Sequence, residues 1–389
     1  MAVLIIIMLI SLVNAILYGL STGLVIKQTV GILLSALAYY LLIKANNYDL
    51  EKLFKMYLRF AFIICIIGIG QEISYLINFT PGHDFSWFGS TKWILTVGTG
   101  LFPLLRVNSI MTEPSVFAIV LTPAMFVALN NIIFNKSIYM NRMKSGVIMI
   151  AFLLSFSTIG YLGILGALFF ILCSSAKGKS KKFVSILLTL SLAAIFVFTS
   201  YSFVPEIRAR VKDTFRMLKG EELNLGNVKY SVFSLYSNLL VTRESLIRNP
   251  LFGSSLGNHV ENHKKYISRI FPQYDNNPWV KVNREDANSL FLRLLSETGI
   301  FGIIIVAYFL KSFFIAGNNN KLLDDNPLYV RYGLINNGIF VFLLLRLIRH
   351  GHYFLDGLFF FAFLYYFTGK SYKKEIKIKS LQLKKNNLA

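Results

Sequence analysis

A basic segment that ends in a proline- and glycine-rich turn contains residues well suited to binding phosphate. Arg243 and Arg248 lie five positions apart, and Asn249-Pro250 favours the end of any helix that carries them. A planar guanidinium can bind two phosphate oxygens at once. Gly253 and Gly257 then allow the chain to turn tightly. The pattern predicts a phosphate-binding arginine beside a tight turn, or a solvated helix resting on anionic lipid.

Two carboxylates stand where they could accept a proton. Glu113 precedes Pro114, and proline favours the first helical position, so Glu113 should lie at the positive end of a helix dipole. A plain helix cap explains Glu113 equally well. Asp286 comes two residues before Asn288, just ahead of an apolar run that begins near Leu290. Both carboxylates are therefore candidates for a general base.

Further cations fall at the ends of other apolar runs. Arg106 closes the loop that leads to Glu113, and Arg349 and His350 lie in a short basic link between two apolar runs. Such side chains either reach towards phospholipid headgroups or form a second clamp for a diphosphate. The sequence leaves both explanations open.

Charged and metal-ligand residue types also occur at helical spacing. Arg293 and Glu297 lie four apart near the start of an apolar run, so we expect them to pair with each other, to face a polar cavity, or both. His259 and His263 are four apart beside Glu261, but a third ligand is not nearby in the sequence. We therefore expect surface histidines and no metal site.

The composition is that of a membrane protein. Of 389 residues, 55% are hydrophobic and only 15% are charged, which is too apolar for an ordinary globular core. The two cysteines, Cys65 and Cys173, both fall in apolar runs, so no disulfide framework is implied. The formal net charge of +21 comes from lysines and arginines mostly in short loops, where it indicates membrane orientation rather than nucleic-acid binding.

The apolar runs predict an all-α polytopic membrane protein with about ten transmembrane helices, both termini being cytoplasmic. We expect four segments. These are an N-terminal transmembrane bundle, a long external loop with amphipathic helices between the sixth and seventh apolar runs, C-terminal transmembrane helices and a basic cytoplasmic tail, at 1–203, 204–289, 290–369 and 370–389.

One pair of crossings is predicted to form a short hairpin. The apolar run from 147 to 173 has basic loops on both sides, so it should cross the membrane twice, with its tip at Ser155–Tyr161. A break rich in serine, threonine and glycine is tolerated in a membrane only where it is buried in protein or lines a cavity. One long helix with serine hydroxyls bonded to its own carbonyls is the competing interpretation.

These motifs resemble those of the O-antigen ligase and polymerase superfamily of bacterial membrane proteins. The likeness rests on Arg243, on the turn from Asn249 to Asn258, and on the leucine-rich segment from Leu290 to Gly302. It covers the C-terminal half of the chain and extends to the rest through general layout. Ligase-type members tend to carry a histidine where this chain has Asn288, so the resemblance implies a polymerase.

The resemblance implies a metal-independent glycosyltransferase without a cofactor, which polymerises O-antigen, capsule or exopolysaccharide. It would transfer undecaprenyl-diphosphate-linked glycan onto the next lipid-linked repeat unit, on the external (periplasmic) face of the bacterial cytoplasmic (inner) membrane. Membrane lipids, a chain-length regulator and a flippase would be further partners, and nucleic acid would not. Arg243, Glu113 and Asp286 would be catalytic, and the substrate would be bound by Arg106, Arg248, Asn288, Arg349 and His350.

Two other functions fit parts of the pattern. A ligase that moves finished glycan to lipid or protein would share nearly all of these features. A polysaccharide or lipid transporter would need paired halves and a polar central path, whereas no internal repeat is visible and the polar residues gather at one face.

Overall fold

The structure is a computed structural model that describes residues 2–86, 95–98, 103–175, 178–203, 205–219, 230–272, 278–316 and 327–386. The described chain is predominantly helical. Its helices, in order, are α1 (Ala2–Leu17), α2 (Thr22–Ala45), α3 (Leu50–Leu76), α4 (Thr80–His83), α5 (Pro114–Phe134), α6 (Arg142–Leu154), α7 (Thr158–Ser175), α8 (Lys179–Phe203), α9 (Pro205–Leu218), α10 (Tyr230–Arg248), α11 (His259–Ile270), α12 (Leu290–Phe313), α13 (Pro327–Ile348) and α14 (Leu358–Asn386).

Six helices of the described chain are long and apolar enough to cross a membrane: α2, α3, α5, α7, α12 and α13. The all-α, multi-pass membrane fold expected from the composition is therefore confirmed. The other four predicted crossings fall on α1, α6, α8 and α14 and stay a prediction. Of these, α1 and α8 contain the shorter apolar stretches Ile5–Leu17 and Phe183–Leu192.

Local sequence signals explain where several helices begin and end. The side chain of Asp49 accepts a hydrogen bond from the Lys52 backbone and starts α3. Pro114 occupies the first turn of α5, and Glu113 is its N-cap, as the sequence predicts. Asn135 caps the C-terminal end of α5 with a left-handed backbone, a conformation that asparagine adopts more readily than most residues.

The described residues form two compact units that each combine distant parts of the chain. The first contains Met1–Ala38, Pro205–Lys311 and Arg346–Leu355. The second contains Tyr39–Val204, Ser312–Leu345 and Asp356–Ala389. The segment predicted as an external loop, 204–289, therefore belongs mainly to the first unit.

The second unit contains the predicted break in the run from 147 to 173. α6 ends at Leu154 and α7 begins at Thr158, so the single long helix is wrong. Phe156 has a positive φ of 42°, and the Ser155 hydroxyl donates to the Phe152 carbonyl at 2.6 Å. The short break is buried at Ser155 and Ser157, in line with the rule that irregular backbone at membrane depth is enclosed by protein.

A small sheet in the second unit was not expected from the sequence. β1 (Thr96–Gly98) pairs antiparallel with β2 (Pro103–Leu105), and Val97 lies opposite Leu104. Three residues on each side carry no alternation long enough to signal a strand. The sheet leads directly to Arg106, so it positions one of the predicted site residues.

The first unit contains a small hydrophobic core between α10 and α11. Phe233 and Val241 of α10 pack against Tyr266 and Ile267 of α11, with Phe271 closing the cluster. A single turn of 3₁₀-helix at Pro278–Lys281 adds Val280 to the same cluster. This packing gives α10 and α11 a fixed place within their unit.

α14 is one helix from Leu358 to Asn386. Its first part is aromatic and its last part is rich in lysine. The boundary expected between residues 369 and 370, where a transmembrane segment would give way to a tail, therefore lies inside one continuous helix.

Candidate functional site

The site in the first unit is built around a break in α12 at Gly299, which has φ 63° and ψ −159°. On one side of the break, the backbone N–H groups of Ser254 and Ser255 donate to the carbonyls of Ser296 and Glu297, at 2.9 and 2.8 Å. On the other side, the N–H groups of Ile300 and Phe301 donate to Pro250 and Leu251, at 2.9 and 3.0 Å. The turn after α10 thus satisfies the backbone groups that the break exposes.

Two glycines make this join possible. A Cβ at Gly299 would lie 2.5 Å from the Leu251 carbonyl oxygen, and one at Gly253 would lie 2.5 Å from the Glu297 carbonyl carbon. Both glycines also have positive φ, which other residues adopt at a cost. The glycines singled out in the sequence are therefore explained by close backbone approach between Asn249–Gly257 and α12.

The join holds a buried ion pair beside the break. Arg293 is 5% exposed and Glu297 is fully buried, and their Nε and Oε1 atoms are 2.9 Å apart. The other guanidinium nitrogens donate to the Gly351 carbonyl at 3.1 Å and to the Gln28 side chain at 2.9 Å. The predicted pairing is confirmed, and the arginine also ties α2 and the link after α13 to α12.

The carboxylate of Glu297 is equally well bonded. Its Oε2 accepts from the Tyr353 hydroxyl at 2.9 Å, and its Oε1 lies 3.4 Å from the His259 backbone nitrogen that donates to it. The Arg293 guanidinium also lies over the Tyr353 ring, 4.6 Å from its centroid. Burial, followed by the Glu297 charge, raises the pKa of Tyr353 well above its ordinary value, so its hydroxyl remains a donor.

Four predicted site residues meet next to this pair, where the loop before α12 contacts the link after α13. The Asp286 carboxylate accepts from the Asn288 backbone at 3.1 Å and from the Gly351 backbone at 3.3 Å. The His350 backbone donates to the Asn288 carbonyl at 3.2 Å. Any Cβ at Gly351 would collide with the Asp286 carbonyl oxygen. The loop that carries Asp286 and Asn288 thus meets the remote link that carries Arg349 and His350.

The cluster contains an acid–imidazole pair. His352 Nε2 lies 3.6 Å from Asp286 Oδ2, and the His352 side chain is 38% exposed. A carboxylate held by two backbone donors can orient an imidazole and stabilise its charged form. Asp286 is therefore better placed to position His352 than to act alone.

The groups around this pair include a neutral imidazole, a guanidinium and an amide without a hydrogen-bond partner in the described part of the chain. Burial, together with the charges of Arg349 and Arg346, lowers the pKa of His350 well below its ordinary value, so this ring is neutral. The Arg346 guanidinium donates to the His352 carbonyl at 2.6 Å. The Asn288 Nδ2 atom is buried without a hydrogen-bond partner among the described residues. The cluster thus offers an amide donor, a neutral imidazole and fixed positive charge.

Arg243 and Arg248 lie on the exposed side of α10. The opposite side of the helix is fixed to α12, because Thr242 and Ser245 donate to the carbonyls of Leu292 and Ser296, at 3.4 and 3.3 Å. Arg248 also lies over the Tyr266 ring, 5.2 Å from its centroid. α10 ends at Arg248, as Asn249-Pro250 predicts.

The two histidines of α11 are buried, so the expectation of surface histidines is wrong. His259 is fully buried and bonds through Nε2 to Asn238 Oδ1 at 2.9 Å. Burial, with a contribution from Arg284, lowers the pKa of His263 to about 4. Glu261 instead pairs with Lys264 at 2.8 Å. Within the described residues, groups of three metal-ligand side chains do not occur.

The remaining two predicted residues, Arg106 and Glu113, belong to the second unit. Their loop is fastened to α3 by Gln71, whose side chain donates to Asn108 at 2.9 Å and accepts from the Ser109 backbone at 2.9 Å. Glu113 is half-buried and accepts from the Ser115 hydroxyl at 2.8 Å. Glu113 occupies the N-cap position of α5, but its side chain bonds this neighbouring hydroxyl and makes no capping hydrogen bond to the helix backbone.

Sequence reasoning missed several groups of the site. Gln28, Asn238 and Tyr353 bond the central groups from α2, α10 and the link after α13. Gln28 was the one recognisable signal, as an amide inside an apolar run that must find a partner. His352 lies in the short basic link that contains Arg349 and His350, but its pairing with Asp286 depends on a contact between remote segments.

Comparisons of the chain with protein families, curated proteins and solved structures find no match.

Proposed function

We propose that this chain is a bacterial membrane glycosyltransferase that polymerises lipid-linked oligosaccharide repeat units. It would move a growing glycan from undecaprenyl diphosphate to a terminal sugar of the next lipid-linked repeat. The observation that carries the proposal is an acid–imidazole pair with a guanidinium beside it. His352 Nε2 lies 3.6 Å from Asp286 Oδ2, Arg346 donates to the His352 carbonyl, and Arg349 belongs to the same link. The reaction needs these two kinds of group.

The roles follow from the chemistry of transfer. His352, oriented by Asp286, takes the proton of the acceptor hydroxyl as its oxygen bonds to the anomeric carbon of the donor. The bond from that carbon to the diphosphate oxygen breaks, and the diphosphate leaves with the electron pair. Arg349 and the exposed Arg243 stabilise its charge. Because the diphosphate is an activated leaving group, the reaction needs no nucleotide and no cofactor.

Other residues support the reacting groups or bind the substrate. Arg293 and Glu297 hold the Gly351 carbonyl and the Tyr353 hydroxyl, which fixes the link that bears His352. Asn288 presents an unsatisfied amide that suits a phosphate or sugar oxygen. Arg248 extends the basic surface of α10. Arg106 and Glu113, which belong to the second unit, stay candidates for substrate binding and for proton acceptance, respectively.

The proposed topology has ten crossings, formed by α1, α2, α3, α5, α6, α7, α8, α12, α13 and α14. Both termini and the basic loops are cytoplasmic, and 204–289 lies on the external face of the inner membrane. α6 and α7 form the hairpin, with the tip between them outside. This arrangement exposes Arg243 and the Asp286 cluster to the leaflet into which lipid-linked repeats are delivered.

Ligation of finished glycan to lipid or protein is the second candidate. Its support is specific: Asn288 replaces a histidine that ligase-type members tend to carry, yet His350 contacts Asn288 and His352 lies nearby. These imidazoles could supply the missing group. The acceptor consumed in the reaction distinguishes a ligase from a polymerase.

Reconstitution tests the proposal. Purified chain in proteoliposomes receives one synthetic undecaprenyl-diphosphate-linked repeat unit, and products are resolved by gel and mass. We expect a ladder of lengthened lipid-linked glycans from the wild type. Asp286→Asn should reduce the rate by about 10²-fold or more while protein levels stay unchanged. Absence of any lengthening by the folded wild type, with several repeat units tried, would contradict the proposed function.

A further inference from the structure

A cavity of about 250 Å³ lies within the second unit, at the end of α5 opposite Glu113. Its walls come from the C-terminal ends of α5 and α7, the first half of α13, and α14. α5 has 21 residues, so its length of roughly 30 Å separates the cavity from Glu113. The cavity is therefore not an extension of the site around Arg106 and Glu113.

Two buried asparagines line this cavity without hydrogen bonds. Asn130 is 8% exposed and Asn337 is 6% exposed, and neither side chain bonds to any residue that the structure describes. The Asn337 Oδ1 atom is completely buried and has no partner. Buried amides are nearly always satisfied, so two at one cavity indicate that a polar ligand belongs there.

The neighbouring Asn336 shows what a structural asparagine in α13 looks like. Its amide nitrogen donates to Phe313, Tyr365 and Thr368, and its oxygen accepts from the Ile315 backbone at 2.9 Å. Asn336 thus fastens three segments of the unit together. Asn337, one position later, faces the cavity and has no such role.

The rim of the cavity is basic and aromatic. Lys136 is exposed, with its ammonium 5.6 Å from the centroid of the Phe134 ring. Tyr329 and Tyr372 meet edge to face, with ring centroids 6.1 Å apart. The part of α14 that bears Tyr372 carries one acid, Glu375, against five lysines at 370, 373, 374, 377 and 379. This charge favours an anion, and tyrosine with lysine suits the headgroup level of a membrane.

We infer that this cavity binds a phosphorylated polyol, with its phosphate at Lys136 and its hydroxyls at Asn130 and Asn337. An ionised phosphate group can accept hydrogen bonds but cannot donate them. The side-chain oxygen of Asn337 needs a donor, and a hydroxyl of the polyol supplies one. The glycerol phosphate headgroup of an anionic phospholipid has this chemistry. Soluble glycerol phosphate has it as well, so the source is decided by experiment.

Gly333 offers a clean way to fill the cavity. It lies on the cavity wall, and a Cβ built there meets nothing within 4 Å. Gly333→Leu should therefore occupy the space without displacing neighbours. Gly70, a helical glycine in α3 with equally open surroundings, is the matched position outside the cavity.

The experiment measures thermal unfolding of the full-length chain in neutral detergent. Short-chain phosphatidylglycerol, phosphatidylcholine and glycerol 3-phosphate are titrated separately. We expect phosphatidylglycerol to raise Tm in the wild type and in Gly70→Leu, with at least tenfold weaker apparent affinity in Gly333→Leu. Asn337→Leu removes the unsatisfied amide, so it should fold at least as well while losing the same response.

The outcomes divide cleanly. A response to phosphatidylglycerol alone supports a lipid headgroup as the ligand, and an equal response to glycerol 3-phosphate supports a soluble one. An undiminished response to phosphatidylglycerol in both Gly333→Leu and Asn337→Leu would overturn the inference. So would equal stabilisation by phosphatidylcholine, or no response to any of the three compounds.

Discussion

Arg293 and Glu297 form a buried ion pair within α12, and together they contact α2, the start of α11 and the link after α13 in the first unit. A buried pair adds little net stability over a well-packed apolar pair, but removing one partner leaves an uncompensated charge. The pair therefore acts mainly as a fastening that holds the His352 link and α2 in one arrangement.

Replacing Glu297 with alanine should destabilise the chain by about 3–5 kcal/mol, because Arg293 would remain buried and charged without its partner. Tm in detergent measures the effect. Glu261 is the matched control, since it pairs with Lys264 at 2.8 Å but both side chains are partly exposed. Glu261→Ala should cost at most about 1 kcal/mol. Similar losses in the two variants would refute a special role for the buried pair.

Gly299→Ala should disrupt the join between α12 and the turn after α10. The added methyl group would lie 2.5 Å from a backbone oxygen, which cannot move aside as a side-chain end can. The positive φ adds strain. Gly70→Ala, in the open part of α3, should instead be neutral or stabilise by up to about 1 kcal/mol, as glycine to alanine does in helices. If the two variants unfold at the same temperature, the join is not needed for stability.

Stability should fall as the pH is lowered below neutrality. In the folded chain the pKa of His263 is about 4, lowered by burial and by Arg284, and that of His259 is also lowered well below its ordinary value by burial. The ordinary pKa of histidine is 6.5, so between that pH and about 4 the His263 ring binds a proton in the unfolded chain but not in the folded chain. The contribution of these neutral histidines to the free energy of unfolding is thus fully present above about pH 6.5 and is lost progressively below it.

The measurement is Tm at a series of pH values. His263→Gln should flatten the decline between pH 6.5 and 4, because the variant no longer carries that titrating group. An unaltered slope in His263→Gln would show that this ring does not titrate as described.

Arg243→Ala should leave protein levels intact and abolish long polymer, leaving single repeats on the lipid carrier. Loss of one group that stabilises developing charge typically reduces the rate by about 10²-fold or more. Arg269→Ala is the control, because Arg269 is also an exposed arginine in the first unit, at the end of α11. Undiminished chain length in Arg243→Ala would remove the assignment of this residue.

His352→Gln should lower the rate by roughly 10²–10⁴-fold and remove the acidic limb of the pH–rate profile, since it eliminates the proposed base. His350→Gln should keep that limb, because desolvation and the charges of Arg349 and Arg346 lower the pKa of His350 and keep its ring neutral. Both variants are assayed for chain lengthening across pH 5 to 8. Retention of the acidic limb in His352→Gln would place the base elsewhere, and Asp286→Asn would then identify whether the carboxylate itself is responsible.

Local signals predicted much of the fold. Proline predicted the start of α5 at Pro114, and the Asn-Pro pair predicted the end of α10 at Arg248. A serine-rich interruption predicted the break before Thr158. Each of these signals depends only on neighbours in sequence. The pairing of Arg293 with Glu297 follows from helical spacing in the same way. The short sheet formed by Thr96–Gly98 and Pro103–Leu105 could not be predicted, because three-residue strands are too short to show an alternation of apolar and polar residues.

Contacts between remote segments could not be predicted. Periodicity leaves open which of many apolar surfaces covers a helix, so it could not reveal that His259 and His263 are buried. Nor could it show that Asp286 meets His352, because that contact depends on how the loop before α12 and the link after α13 meet within the first unit. Reasoning from residue types found the members of the cluster, whereas three-dimensional packing determined their partners.

The join at Gly299 is made from backbone N–H and carbonyl groups, and every residue offers both except proline, which lacks only the N–H. Natural substitution can therefore alter almost every side chain of Asn249–Ser255 and still preserve the four bonds, provided that Gly253 and Gly299 persist. Distant relatives of this chain would then be identified less by overall identity than by two conserved glycines, one after an arginine-bearing helix and the other inside an apolar one.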